Sequence, residues 1–535
     1  MSIFSNDQSN KPLNIWLPLL FGVVLAVGIM LGFTIEKLPN GSYGNSGSSQ
    51  RLDELVRFVE AKYVDDVDSE ELVDGAIKSI LKELDPHSNY IPAYQLSSVN
   101  EELDGNFEGI GVQFIVKDDT IYVVSAIPGG PSEAQGIRSG DKIVEIEDSV
   151  VAGVKITNEQ IIKKLKGEKG TKVNVKIKRG NKKKLIPFTI TRDKIPLYSV
   201  EAAYMLNENT GYIKIGRFSA TTHQEFVSKI QELEKEGLEN IVIDLRQNPG
   251  GYLTAATKIL DQIFSDAKML VYTEGRNYKK SEYKSTGRTI VDIGKVSLLI
   301  DEGSASASEI MAGAIQDWDR GSIIGRRSFG KGLVQEQYML SNGAALRLTV
   351  ARYYTPSGRS IQKPYDDDRD KYNKEMYTRQ ASGELDNQDS ISVGDTTKYF
   401  TSKNRVVYGG GGITPDYFIP IDKSFDNDYF LEVAQYIAPF VYEHLDKSRD
   451  YYAKYDSFKG FNENINISDA LLNEFTKYAS KNGVKLDSAN YNKCKSKLAQ
   501  IMKANIAKQF FELNGFFKVM YEDDKMIEKA LETMK

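Results

Sequence analysis

"VSLLIDEGSASASEIMAGAIQDW" runs from Val296 to Trp318. Its first six residues read as a buried strand. Ile310, Met311, Ala314, Ile315 and Trp318 recur at helical spacing and predict a helix over Ala307–Trp318. The same alternation surrounds it. "TGYIKIGRF", "NIVIDLR" and "GSIIGR" are further apolar strands, and helices are expected at His223–Glu236 and Tyr252–Phe264. Apolar strands interleaved with helices imply an α/β layer around a buried sheet.

The junction itself carries three small hydroxyls, Ser304, Ser306 and Ser308. Ser306-Ala-Ser-Glu309 fits the S-x-x-E capping box of a helix start, which explains one serine without catalysis. A nucleophilic serine needs a base to take its proton. The histidines His87, His223 and His444 carry no motif, and His87, in "LDPHSNYIP", reads as a turn residue. Lys331, in "RRSFGKGLVQEQ", lies between Gly330 and Gly332 beside Phe329, Leu333 and Val334. A free lysine, with a pKa of about 10.4, stays protonated at neutral pH. Burial among apolar groups lowers that value, and Arg326 and Arg327, if near, push the same way. The alternative is an exposed loop lysine. Local pattern alone does not choose among the three serines.

"GSASASEI" followed by "FGKGLVQ" resembles the C-terminal processing peptidases, or tail-specific proteases, serine endopeptidases with a Ser–Lys dyad. "LDPHSNYIP", "FEGIGVQF", "VIDLRQNPGGYL", "YYTPSGRSIQ" and "GGGITPD" extend the resemblance over roughly residues 51 to 420. In that family the base follows the nucleophile by 25 positions, the separation of Ser306 and Lys331. The resemblance therefore implies Ser306 as nucleophile, Lys331 as base and Gln335 as the third residue. Four residues of straight strand span about 13 Å, so Gln335 needs a turn, expected at Gly332, to reach Lys331. The oxyanion donors are expected to be the backbone N–H groups of Ala307, at the helix start, and Gly251, with Gly250 the near alternative.

Residues 104–193 hold short β-rich runs ("IGVQFIV", "TIYVVSAI", "DKIVEIED", "KVNVKIKR", "LIPFTITR") and one amphipathic helix, "NEQIIKKLKG". "GIRSGDKIVEI" and "EGIGVQF" make this module similar to a PDZ domain. That likeness implies that a peptide C-terminus adds as a strand beside Gly109, Ile110, Gly111 and Val112, its carboxylate on backbone N–H groups and its last apolar side chain in a pocket lined by Ile110 and Val112. A plain β-sandwich edge is the alternative.

The segment Ile15–Ile35 has 21 residues and no charge, enough to span a bilayer core at about 1.5 Å per residue. An uncleaved anchor is expected, a signal peptide being the rival. The organisation expected is α+β and multidomain: a cytosolic start (1–14), a transmembrane helix (15–35), a flexible linker (36–50), a helical domain (51–103), a PDZ domain (104–193), a peptidase core (194–424) with a polar surface insert near 365–403, and a helical C-terminal region (425–535). The family points to the bacterial inner membrane, with the catalytic part in the periplasm.

A net charge of −5 gives no sign of a nucleic-acid partner. One cysteine, Cys494, excludes an intramolecular disulfide. No zinc spacing and no P-loop motif occurs, so neither a metal nor another cofactor is expected. The expected partners are substrate proteins held by their C-terminal tails, the membrane, and either a second copy of the chain or an adaptor protein. A non-enzymatic PDZ scaffold that only binds C-termini is the competing reading.

Overall fold

The computed structural model describes residues 47–180, 184–365, 369–391 and 394–535. The expected cytosolic start (1–14) and anchor (15–35) lie outside these residues. No helix among the described residues is long and apolar enough to cross a membrane. Two compact units are present, one ending at Ile80 and the other spanning Leu81–Lys535.

The first unit holds α1 (Gly47–Lys62) and most of α2 (Ser69–Lys82). Helix α1 starts at Gly47, so the expected linker stops short of residue 50. The helical domain also ends earlier than residue 103. The strand Asn89–Ile91 pairs in the second unit, where Asn89 sits opposite Arg347. Backbone pairing, which no side-chain pattern revealed, moves that boundary.

The PDZ-like module is a sheet in the order β1 (Val112–Lys117), β2 (Thr120–Ala126), β3 (Lys142–Ile146), β4 (Lys172–Lys178), β5 (Ile186–Thr191). Helix α3 (Asn158–Leu165) starts in a Thr157–Gln160 capping box. Strand β1 is an edge strand, its second side unpaired in the sheet.

The peptidase core centres on a six-stranded sheet. Its order is β6 (Val200–Met205), β7 (Thr210–Ile215), β8 (Asn240–Asp244), β11 (Val296–Ile300), β12 (Ser322–Gly325), β15 (Tyr417–Phe418). All neighbours are parallel except β6 and β7. Helices α4 (Thr222–Lys235), α5 (Leu253–Asp261) and α6 (Ala307–Asp317) follow β7, β8 and β11 in sequence. Ile213, Ile243, Leu298 and Ile323 pack toward them. The other face presents Tyr212, Val242, Leu299 and Ile324 to α13 (Lys525–Thr533), through Met526, Ile527 and Ala530. A parallel sheet is stable when both faces are covered. The last helix is thus a layer of the core, not of the C-terminal region where its position in the chain had put it. The rest of that region, α8 (Asp428–Ala434), α9 (Ile437–Ala453), α10 (Phe458–Asn464), α11 (Asp469–Lys481) and α12 (Ser488–Met520), builds its own apolar centre around Phe461, Phe475 and Leu498.

A second sheet was not foreseen. In it β14 (Ala345–Tyr354) pairs with Asn89–Ile91, with β9 (Met269–Glu274) and with β13 (Leu333–Met339); β10 (Ser281–Lys284) extends it from β9. The insert near 365–403 is also more than a solvated surface piece. Its helix α7 (Arg369–Ala381) buries Tyr372 and Arg379. Arg327 and Arg379 both pair with the buried Glu384, at 2.7 and 2.9 Å. These charges are polar by composition yet buried by pairing.

Candidate active site

Strand β11 ends at Ile300, and the chain turns sharply into α6 through Asp301–Ser306. Ser306 closes that turn with φ 56° and ψ −113°. Such a conformation costs a non-glycine residue about 1–3 kcal/mol and persists only where its surroundings impose it. It projects the side chain from a tight strand-to-helix corner.

The neighbouring serines have other work. Ser304 is 0% exposed; its Oγ donates to the Leu245 carbonyl (2.8 Å) and accepts from Asp301 N–H (2.9 Å). Ser308, also 0% exposed, donates to the Asn248 carbonyl at 2.9 Å. Ser306 alone of the three is partly exposed. In its capping box, the limb with full hydrogen-bond geometry is the Glu309 carboxylate on the Ser306 N–H, at 2.9 Å; the Ser306 hydroxyl makes no cap bond of that quality.

Glu309 does more than cap. It is fully buried, and its carboxylate accepts four donors: Ser328 Oγ (2.5 Å), Gly330 N–H (2.7 Å), Lys331 N–H (2.8 Å) and Ser306 N–H. One oxygen, Oε2, holds the amides of both Ser306 and Lys331. Burial pushes the Glu309 pKa up to about 7, against the pull of these bonds. Tyr353 closes the corner from the other side, its hydroxyl donating to the carbonyls of Ser306 (3.0 Å) and Lys331 (2.6 Å). The turn and the lysine loop are therefore tied together at both their N–H and C=O groups.

Lys331 Nζ donates to Gln335 Oε1 at 3.1 Å. The register of β13 against β14 shifts between Val334 and Gln335, and Gly332 keeps an ordinary backbone angle. The expected turn at Gly332 is thus a β-bulge two residues on, which re-aims Gln335 toward the lysine. Gln335 Nε2 donates to the His87 carbonyl at 2.6 Å. Burial lowers the Lys331 pKa, helped by the nearby Arg347. Arg326 and Arg327, expected to help, are instead neutralised by Glu302 and Glu384.

His87 contributes its main chain to the site, holding Gln335. Its ring, bonded to Tyr372 Oη at 2.6 Å, is driven down to a pKa of about 4 by burial and then by Lys331, so it is neutral near pH 7. His223 and His444 lie elsewhere, on α4 and α9.

The loop after β8 meets the corner from a third direction. A Cβ placed on Gly250 would lie 2.7 Å from Ser306 Cβ and 2.9 Å from Ala307 N, so this glycine permits the approach. Its N–H is taken by Asn248 Oδ1 at 2.9 Å. Phe218 bonds to the Gly250 carbonyl and the Tyr252 N–H, leaving the Gly251 N–H out of that bridge. Among the described residues, neither the Gly251 nor the Ala307 N–H has a hydrogen-bond acceptor. Asn248, which sequence reasoning passed over, also takes the Ala305 N–H on its carbonyl at 3.0 Å and anchors its amide on the Ile215 carbonyl at 2.8 Å.

At the PDZ-like module, Val112 lines a groove of about 820 Å³ along β1 and α3. Ile110 does not line it. It is 2% exposed and packs in the module's core, because Gly111, at φ 72°, turns the chain between the two. Gly109 and Gly111 are buried in the approach to β1. No cluster of side chains suited to a metal ion occurs among the described residues.

Comparison with known proteins follows this division. A family model described as peptidase family S41 matches residues 209–369, a PDZ domain model 109–190, the N-terminal domain of the activating protease CtpB 36–94, and a family of unknown function 429–512. The carboxy-terminal processing protease CtpB of Bacillus subtilis (strain 168) is 36% identical over 316 residues, 58% of this chain; the chain spans 65% of that relative's length. CtpA of the same organism is 31% identical over 433 residues, 80% of this chain and 90% of the relative. Among solved structures, the photosystem II D1 C-terminal processing protease aligns at 28% identity over 57% of this chain and 82% of its own, with a TM-score of 0.33, too low to carry positions from one to the other.

Proposed function

The chain belongs to peptidase family S41, the carboxy-terminal processing proteases, with a PDZ domain, and we propose that it cleaves proteins with Ser306 as nucleophile and neutral Lys331 as base. The observation that carries this reading is the single Glu309 oxygen that holds the amides of both residues, while Lys331 Nζ rests on Gln335.

In the first step Lys331 Nζ takes the proton of Ser306 Oγ as that oxygen attacks the scissile carbonyl carbon. The negative oxygen formed is received by the Gly251 and Ala307 N–H groups, which have no other acceptor to release among the described residues. The Lys331 ammonium returns its proton to the departing amine, leaving an ester on Ser306. A water that loses its proton to Lys331 then attacks the ester, and the lysine passes that proton to Ser306 Oγ as the acid departs, which restores both groups. Gln335 fixes the lysine's direction throughout. Burial and Arg347 supply the lowered basicity that the first step requires.

Substrates are proteins with an apolar, free C-terminal tail, read at β1 by backbone N–H groups around Gly109–Val112. No nucleotide is used, in keeping with the absence of a P-loop motif. The charge-free segment 15–35 holds the enzyme in the bacterial inner membrane, with the catalytic part in the periplasm.

A serine-reactive phosphonate tests the assignment. Peptide mapping should place the adduct on Ser306, and Ser306→Ala should lose both adduct and cleavage of a tailed protein. Cleavage by Ser306→Ala at the unaltered rate, or an adduct on Ser304 or Ser308, would defeat it.

A further inference from the structure

The groove along β1 has a second wall that the PDZ-like module does not supply. Its lining includes Tyr436 and Pro439, at the start of α9, and Tyr478 and Asn482, at the end of α11. These face Val112–Asp118 of the β1 side and Asn158 and Ile162 of α3. The placement is anchored. Lys117 Nζ pairs with Glu443 of α9 at 2.6 Å and lies 4.8 Å from the centre of the Tyr478 ring. Ser139 donates to Gln509 of α12 at 3.0 Å.

We infer that the C-terminal helical region is a specificity element: its two tyrosines read the upstream residues of the same tail whose end the PDZ-like module holds. This rests on the tail-reading role proposed above. The direction follows from β1. If the tail's carboxylate sits by Gly109–Val112, before the strand begins, the tail must run antiparallel to β1, with its earlier residues toward Lys117. The open edge of β1 offers main-chain partners along that path. Six strand residues cover about 20 Å, so Tyr478 meets the tail about five or six residues before its end. Aromatic walls there favour apolar or aromatic side chains at those positions. Discrimination between substrates with the same last residue then comes from a part of the chain outside both the PDZ-like module and the peptidase core.

The test uses the full chain carrying Ser306→Ala, which binds without cleaving. Calorimetry compares a peptide of about four residues with one of about ten, sharing the same apolar C-terminus, the longer with an aromatic residue about six from the end. Tyr478→Ala combined with Tyr436→Ala should weaken the long peptide roughly tenfold and leave the short one unchanged. Tyr478→Phe, which keeps the ring, should bind both as before. Asn482→Trp, at an exposed position, narrows the far end of the groove without disturbing the helical centre, and should exclude the long peptide selectively. Equal loss for both lengths, or no loss for either, overturns the proposal. If the parent protein binds free and amidated peptides alike, the tail-reading itself fails, and this inference with it.

Discussion

Lys331 Nζ donates to Gln335 Oε1 at 3.1 Å, and the same Gln335 side chain donates onward to the His87 carbonyl at 2.6 Å. The lysine's direction is therefore set by a strand bulge and a turn that lie far apart in the chain. Gln335→Ala should lower kcat by the worth of one neutral hydrogen bond, about 1 kcal/mol or roughly fivefold, with little change in KM. Gln335→Glu is the more telling variant. A carboxylate beside the ammonium favours the charged lysine, so the rise of kcat/KM with pH should move to higher pH. An unmoved midpoint would show that the two side chains are not in contact during turnover.

Arg347 is the cation that depresses Lys331, after burial itself. In the proposed mechanism the base works when neutral, so activity should increase with pH as the lysine loses its proton. Arg347→Met removes a repelling charge and raises the lysine's pKa. Activity at neutral pH should fall several-fold while the alkaline plateau is kept. Lys331→Arg should lose about 10²- to 10⁴-fold, because the guanidinium cannot give up its proton. A fully active Lys331→Arg enzyme would exclude lysine as the base.

Glu309 meets four donors with two acceptor oxygens. In Glu309→Gln one of those oxygens becomes an NH₂ group facing at least one backbone N–H. Leaving such a donor unsatisfied costs about 1–3 kcal/mol, visible as a lower denaturation midpoint. The same change loosens the shared grip on Ser306 and Lys331, so kcat per folded molecule should also fall. A variant with normal stability and normal kcat would remove Glu309 from the positioning role.

His87 gives a pH signature in stability rather than in rate. Its folded pKa, about 4, lies below the ordinary 6.5. Between those values the unfolded chain binds the proton that the folded protein refuses, so this contribution is fully present above 6.5 and is lost as pH falls toward 4. His87→Gln keeps the carbonyl that holds Gln335 and should flatten the acid loss of stability measured by denaturant titration. It should leave the midpoint of the pH–rate curve in place. A rate midpoint that disappears in His87→Gln would move the base to the imidazole.

Periodicity carried the central layer well: the four apolar runs read as strands are four consecutive strands of the sheet, β7, β8, β11 and β12. Such runs are legible because both faces of each strand are buried. Ser306 was not separable from Ser304 and Ser308 by pattern, because what distinguishes them is tertiary. Two hydroxyls point into bonds with the β8 loop, and the third sits at a strained corner. Gln335 was reachable from the resemblance but not from geometry, since a bulge leaves no mark in a stretch such as "GLVQEQ". Glu309 was visible as a cap, yet its grip on Lys331 depends on a loop 22 residues away. The buried ion network of the insert read as solvated charge, because a sequence displays charges without showing which of them meet. Ile110 read as a pocket wall, but one glycine turns it into the core.

Helix α13 completes the underside of the catalytic sheet from residues 525–533, more than 200 positions after β11. Without that segment the face that carries Tyr212, Val242, Leu299 and Ile324 loses the cover of Met526, Ile527 and Ala530, and the strand that leads into Ser306 loses part of its floor. A chain stopped anywhere before residue 525 possesses every residue of the candidate catalytic corner and still lacks the layer on which that corner is built.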